Sequence, residues 1–308
     1  MGMSTRSGSR GGAKEMYEVF DVTTWEVSRF VVSGSKEKEW RICPDTKRFG
    51  LLKFPVSVLA DDWEEGQGYT GEAWSEKIAS EIGKMIDVPT HDVEIAYYKQ
   101  THSSLCWRFL DPDVENLEEG ADLINPFDPT YDRNSLIGQK VKYNLELLYQ
   151  VFESNEILPH LFDMIVFDAL IGNTDRHQDN FGIITTNETK RFAPLYDNAS
   201  CLGRELKLDG IHEKMSNPHS FENYIKRCTS LIRLGNSKKR TKHFQLLEAV
   251  LDSYKESARQ SFQKVESLDN NKIDKILHAV PTQVMHEDTK SFVNKVLTTR
   301  RDIILGMR

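Results

Sequence analysis

The sequence predicts an α+β molecule of two lobes, a β-rich N-terminal lobe and a larger, mainly helical C-terminal lobe. Three observations carry this. Up to about residue 110, short β-branched and aromatic runs are punctuated by Gly, Ser, Asp and Pro, the pattern of antiparallel hairpins. Beyond residue 144, apolar residues recur at three- and four-residue spacing, which is helical. Between them lies an acidic stretch carrying Pro112, Pro126 and Pro129, which reads as a hinge or long loop. The expected divisions are a tag-like lead over 1–15, the β-rich lobe over 16–110, the hinge over 111–134 and the helical lobe over 135–308.

The bulk numbers bound the class. A chain of 308 residues suggests about two domains or one domain of two lobes. With 39% hydrophobic and 28% charged residues it is neither fibrous nor disordered. The net charge of −7 argues against a dedicated duplex-DNA binder. Cys43, Cys106, Cys201 and Cys228 form no CxxC pair, so no zinc or redox motif is signalled. They read as reduced, buried thiols of a cytoplasmic protein. No apolar run approaches the roughly 18 residues of a membrane span. The Gly/Ser/Arg-rich lead resembles an expression scar, with Met16 as the expected native start.

In the first lobe, strands are expected over 25–32, 39–42, 49–55, 93–98 and 105–109. Trp74, Ile78, Ile82, Met85 and Ile86 share one face of a helix that Val88-Pro89 stops. In the second lobe, Leu161, Phe162, Ile165, Val166, Ala169 and Leu170 form a stripe wide enough for a buried helix. Leu246 to Ala258, Ile273 to Val280 and Phe292 to Ile304 mark three more. Residues 206–220 read as an activation or substrate loop. The basic run Lys238 to His243 reads as a solvated turn before a helix, without the interleaved aromatics of a nucleic-acid site.

The buried helix runs straight into Asn173-Thr174-Asp175-Arg176-His177-Gln178-Asp179-Asn180. Asp175 and Asn180 are five apart, the spacing of the phosphoryl-transfer loop of protein kinases, where Asp orients the acceptor hydroxyl and Asn holds Mg²⁺. The residue types fit the chemistry: a carboxylate accepts a hydroxyl proton, and an amide oxygen is a hard, neutral metal ligand. Two short strands around Asn187-Glu188 then deliver Asp197 toward the same metal. The bland reading of the loop is a polar helix–strand turn, which Asp and Asn favour.

Together with Pro194-Leu195-Tyr196-Asp197-Asn198-Ala199-Ser200, this loop resembles the HipA-like serine/threonine kinases of bacteria, and its Asp-Arg-His-x-x-Asn core is similar to that of phosphoinositide kinases. The resemblance is most specific over 162–200. It implies a two-lobed protein-kinase-like fold, Asp175 as catalytic base, and Asn180 and Asp197 as Mg²⁺ ligands. It places His177 at the phosphates or in support of the loop. Asn198 and Ala199 stand where kinases usually carry Phe and Gly, and Asp179 where some relatives carry Lys.

Lys53 lies within Leu51-Leu52-Lys53-Phe54-Pro55. An inward Lys needs anionic partners, since burying a lone ammonium is costly; ATP phosphates and a helix Glu would supply them. An exposed edge-strand Lys is the alternative. Glu72, Glu76 and Glu81 are the possible helix partners, and the resemblance favours Glu72. Ser33-Gly34-Ser35 matches the family's short phosphate-covering loop, in which either serine could be autophosphorylated; by itself it is a hairpin turn.

The expectation is therefore an ATP- and Mg²⁺-dependent phosphotransferase, most simply a protein kinase acting on Ser/Thr of an unidentified protein. The rivals are a lipid or small-molecule kinase of phosphoinositide-kinase-like fold and a nucleotide-binding pseudokinase. The chain is shorter than typical HipA toxins and is expected to lack their extra N-terminal segment, which leaves an antitoxin-like partner open.

Overall fold

A computed structural model describes residues 16–29, 37–56, 69–134 and 142–308. Six strands of the first lobe form one sheet: β1 (Val19–Asp21), β2 (Glu26–Val27), β3 (Lys38–Ile42), β4 (Phe49–Lys53), β5 (Val93–Tyr98) and β6 (Thr101–Trp107). Their order is β1-β5-β6-β4-β3-β2, antiparallel except for β1 beside β5. Alternation along the strands sorts the side chains by face. Leu52, Ala96 and Leu105 join Val22, Trp25 and Trp107 in a cluster on one face. The opposite face turns Leu51 and Lys53 on β4, and their cross-strand partners Cys106 and Ser104 on β6, toward the interlobe cleft.

Helix α1 (Glu72–Met85) packs beneath that face through Trp74, Ile78, Ala79 and Ile82, all buried. Its apolar spacing is the one the sequence displays, and it ends before Val88 and Pro89.

The segment expected as a plain loop over 111–134 contains β7 (Asn116–Glu119) and α2 (Gly120–Ile124). Leu123 and Ile124 are buried in the larger core, so this segment has apolar side chains to fold around. β7 pairs with β8 (Gly182–Thr185), which pairs with β9 (Lys190–Phe192), the hairpin expected after the catalytic loop.

In the second lobe, α3 (Leu145–Ser154) begins at Asn144, whose side chain accepts the Leu147 N–H at 2.8 Å. α4 (Leu158–Ile171) is buried on every side from Leu161 to Ile171 and forms the lobe's axis. The expected loop over 206–220 is instead α5 (Leu208–Ser216) running into α6 (Pro218–Arg227). Leu208, Ile211 and Met215 form a short apolar stripe that holds α5 against the core. After β10 (Thr229–Ser230) and β11 (Thr241–Lys242), α7 (His243–Lys264), α8 (Asn270–Ala279) and α9 (Glu287–Gly306) close the lobe. Lys238, Lys239 and Arg240 are exposed, but His243 is buried.

The four cysteines are free thiols, three buried and Cys228 half-buried. Among the described residues, no helix is long and apolar enough to cross a membrane.

Candidate active site

The loop from Asn173 to Asn180 is set by how α4 ends. Gly172 adopts φ +69°, the left-handed turn that suits glycine, and swings the chain out of the helix. Asp168, one of two carboxylates on this otherwise apolar helix, is 3% exposed and therefore needs a cation. Arg176, eight residues on and 1% exposed, supplies it: its Nε donates to Asp168 Oδ2 at 3.0 Å and its Nη2 to Oδ1 at 2.9 Å. Burial alone would lower the guanidinium's affinity for its proton, but Asp168 outweighs this and raises it. The remaining fork bridges two segments of the site, with Nη1 donating to Asn180 O and Tyr196 O, both at 2.8 Å, and Nη2 to Asn198 Oδ1. One buried side chain thus fixes the loop end at Asn180 against the two neighbours of Asp197.

The loop itself is tightly tied. Asp175 N donates to Asn173 Oδ1 at 3.1 Å, and Asn180 Nδ2 donates to Asp175 O at 3.0 Å. Asn180 thereby commits its amide NH₂ to the loop and keeps its oxygen, a hard donor, for the cleft. Gly182 follows because β7 approaches too closely for a side chain: a Cβ there would meet Glu118 O at 2.3 Å. Asp197 sits at φ +56°, a conformation an Asp tolerates at some cost and one typical of functional sites. Asn198, where kinases usually carry Phe, is fully buried; its amide answers Arg176 and Leu195 O.

The opposite wall centres on Lys53. Its Nζ lies 2.7 Å from Glu76 Oε1 and 3.0 Å from Asp197 Oδ1. Burial would lower this ammonium, but Asp197 and Glu76 together raise it well above the usual lysine range. Burial likewise would raise Glu76, and Lys53 and His91 pull it down instead. The helix partner of Lys53 is thus Glu76, one turn beyond the expected Glu72. Glu72, also buried, instead takes Thr70 Oγ1 and an Arg204 ion pair. Gly71 N to Arg204 O (2.9 Å) and Ser75 Oγ to Ala199 O (2.8 Å) complete this seam between α1 and the segment after Asp197.

Lys53, Glu72, Glu76, Asp175, His177, Asn180 and Asp197 all line one cleft cavity of about 510 Å³. His177 Nδ1 accepts the Asp179 N–H at 3.2 Å, which ties the ring to the loop. Ser33, Gly34 and Ser35 lie outside the described residues. An adjoining cavity of about 410 Å³ is walled by Trp40, Leu51, Leu117 and the stacked pair Phe109–Tyr196, with ring centroids 5.5 Å apart. It is apolar and flat-sided, and it opens onto Lys53 and Asp197. Lys38 lines both cavities directly across the strand pair from Lys53. Burial lowers its pKa, and the Lys53 charge lowers it further against the pull of Asp197. Two ammoniums opposite one another destabilise a sheet unless an anion lies between them.

Sequence reasoning did not find Arg176, Asp168 or Lys38. Asp168 did leave a signal, being a carboxylate inside an apolar helical stripe one short loop before an Arg.

A family model described as the HipA-like C-terminal domain matches residues 27–280. The chain belongs to the HipA-like family. Among curated proteins, the serine/threonine-protein kinase CtkA of Helicobacter pylori is 24% identical over 264 residues, covering 83% of this chain and 77% of CtkA. The crystal structure of the Helicobacter pylori proinflammatory kinase CtkA superposes with a TM-score of 0.78 at 19% identity, over 94% of this chain and 98% of that one. HipA from the Shewanella oneidensis HipA–HipB–operator DNA complex superposes with a TM-score of 0.52 at 14% identity, over 91% of this chain and 64% of that one. The fold of this HipA-like chain is therefore the two-lobed kinase-like one.

Proposed function

We propose that this chain is an ATP-dependent serine/threonine protein kinase. The observation that carries the reading is the convergence of Lys53, Asn180 and Asp197, from β4 and the two ends of the β8–β9 hairpin, at one cavity with Asp175 on its rim. The family membership and the similarity to a serine/threonine kinase support a protein hydroxyl as acceptor.

The donor set fits Mg²⁺: one amide oxygen and one carboxylate, both hard, beside a cleft with room for phosphates and water. When bound there, Mg²⁺ would offset charge on the phosphates during transfer. Lys53 and Lys38 would hold the phosphate chain from the sheet side, with Glu76 keeping Lys53 in register. The apolar slot between Phe109–Tyr196 and Leu51 would take the adenine. Asp175 would accept the acceptor's hydroxyl proton, and Arg176 would keep that carboxylate and the metal ligands in fixed relation. Positioning and fixed charge supply most of the rate in such a reaction.

The test is transfer of label from γ-labelled ATP to the chain itself or to a model protein. Wild type should transfer label and Asp175→Asn should not. Wild type that binds Mg-ATP but transfers to no protein would favour the pseudokinase, and label recovered only in lipid or small molecules would favour the other enzyme class. Ser33 or Ser35 is the proposed autophosphorylation site, read by mass spectrometry after incubation with Mg-ATP. Phosphate there would repel the nucleotide.

A further inference from the structure

Beside Lys53, three further donors meet. Glu76 on α1, His91 in the connection to β5 and Cys106 on β6 each place one ligand atom within 4.8 Å of the other two, and all three residues are buried. Two of these atoms lack partners: Glu76 Oε2 and His91 Nε2 make no hydrogen bond, although both are sealed from solvent. His91 Nε2 lies 3.3 Å from Glu76 Oε1, close but not aligned for a hydrogen bond. A carboxylate oxygen and an imidazole nitrogen left unsatisfied in a buried pocket cost free energy, and such groups call for an explanation. His91 is held from behind by its backbone, through N–H to Leu195 O at 3.1 Å and its carbonyl to Ser80 Oγ at 2.7 Å. His91 and Cys106 both reach the wall of the 410 Å³ cavity, so the cluster has an entry path.

We propose that Glu76, His91 and Cys106 form an inhibitory site for a thiophilic divalent cation, with Zn²⁺ the chemical fit. Oxygen, nitrogen and sulfur donors from three elements, with room on the cavity side for a water, are a zinc set and a poor magnesium set. On binding, the Cys106 proton leaves to solvent as the sulfur–metal bond forms. Zinc on Glu76 Oε2 would draw charge from the carboxylate whose other oxygen, Oε1, Lys53 Nζ holds at 2.7 Å, and the dication would repel that ammonium. Zinc therefore releases Lys53 from α1 and weakens its hold on the phosphates. That consequence rests on the kinase reading; the metal site does not.

The experiment is equilibrium dialysis of the chelator-treated full chain against Zn²⁺, with Co²⁺ as spectroscopic probe. Wild type should take up one ion per chain and show a thiolate-to-cobalt charge-transfer band. Cys106→Ser and His91→Gln should each lose at least about tenfold in affinity, and the band should vanish in Cys106→Ser. Lys53→Met removes that ammonium and should bind zinc more tightly than wild type, a gain that a misfolded variant would not give. Failure of wild type to bind, equal affinity in Cys106→Ser, or a cobalt complex without the sulfur band would overturn the site. Phosphotransfer is read separately: zinc should raise the KM for ATP in wild type. Stoichiometric zinc binding with an unchanged KM would overturn the inhibitory role while leaving the kinase reading intact, and absent phosphotransfer with intact zinc binding would overturn the kinase reading, and with it the inhibitory role, while leaving the metal site.

Discussion

The C-lobe wall of the cleft is one stretch of chain, Asp168 to Asn198, whereas the facing wall is collected from separate elements: Lys53 on β4, Glu76 on α1, His91 in a connection and Cys106 on β6. The first wall is organised by one buried guanidinium whose partners all lie within that stretch. The second is organised by packing of α1 beneath the sheet, and its charges meet only once the lobe has folded. A local motif therefore fixes Asn180 and Asp197, and tertiary packing fixes the cation that faces them.

The largest expected effect breaks the first wall chemically without unfolding it. Asp175→Asn should lower kcat by about 10²–10⁴-fold, the range for loss of a positioned base, with thermal stability unchanged. Arg176→Ala should do the opposite in kind. It strands Asp168 in the core, and unfolding in urea should show a loss of about 3–5 kcal/mol. Equal stability of the two variants would contradict the division between chemistry and scaffold.

The second wall is sharpened by Glu76→Gln, for which we expect a loss of about 3 kcal/mol at neutral pH, because Lys53 loses its buried counter-charge. Glu76 is depressed in the folded protein, so its contribution is complete above the ordinary carboxylate pKa, about 4.3, and fades as pH falls below it. Stability of wild type and variant, followed by denaturation from pH 7 downward, should therefore begin to converge below about pH 4 and meet only as pH approaches the folded pKa of about 2. Lys53, raised in the folded state, contributes at every pH below the ordinary lysine pKa and loses that contribution only above it.

Smaller effects separate neighbours on one helix. Glu72→Gln should cost about 1–2 kcal/mol through the Arg204 seam while leaving the KM for ATP near wild type, unlike Glu76→Gln. Smallest of all, Lys226→Ala removes an exposed pair with Glu222 on α6 and should leave the urea midpoint at the wild-type value.

What could be read in the sequence follows the same division. That Asp175, Asn180 and Asp197 meet at one cavity was legible because a loop and a hairpin place them by short-range geometry. The pairing of Lys53 was not: Glu72 and Glu76 lie one turn apart on α1, and only the docking angle of the helix under β4 decides which one meets the lysine. The loop expected over 206–220 is helical because Leu208, Ile211 and Met215 make a stripe too short to stand out in a polar segment. β7 and α2 escaped notice for a similar reason, since β7 gains its order from pairing with β8 rather than from its own acidic sequence.

The most direct measurement is a crystal structure of the wild-type chain with Mn²⁺ and a non-hydrolysable ATP analogue, with the metal located by anomalous scattering. The account predicts a cation bridging Asn180 Oδ1 and the Asp197 carboxylate, Lys53 on the phosphates, and the adenine against Phe109 and Tyr196. A nucleotide bound outside the interlobe cleft, or a metal that touches neither Asn180 nor Asp197, would contradict it.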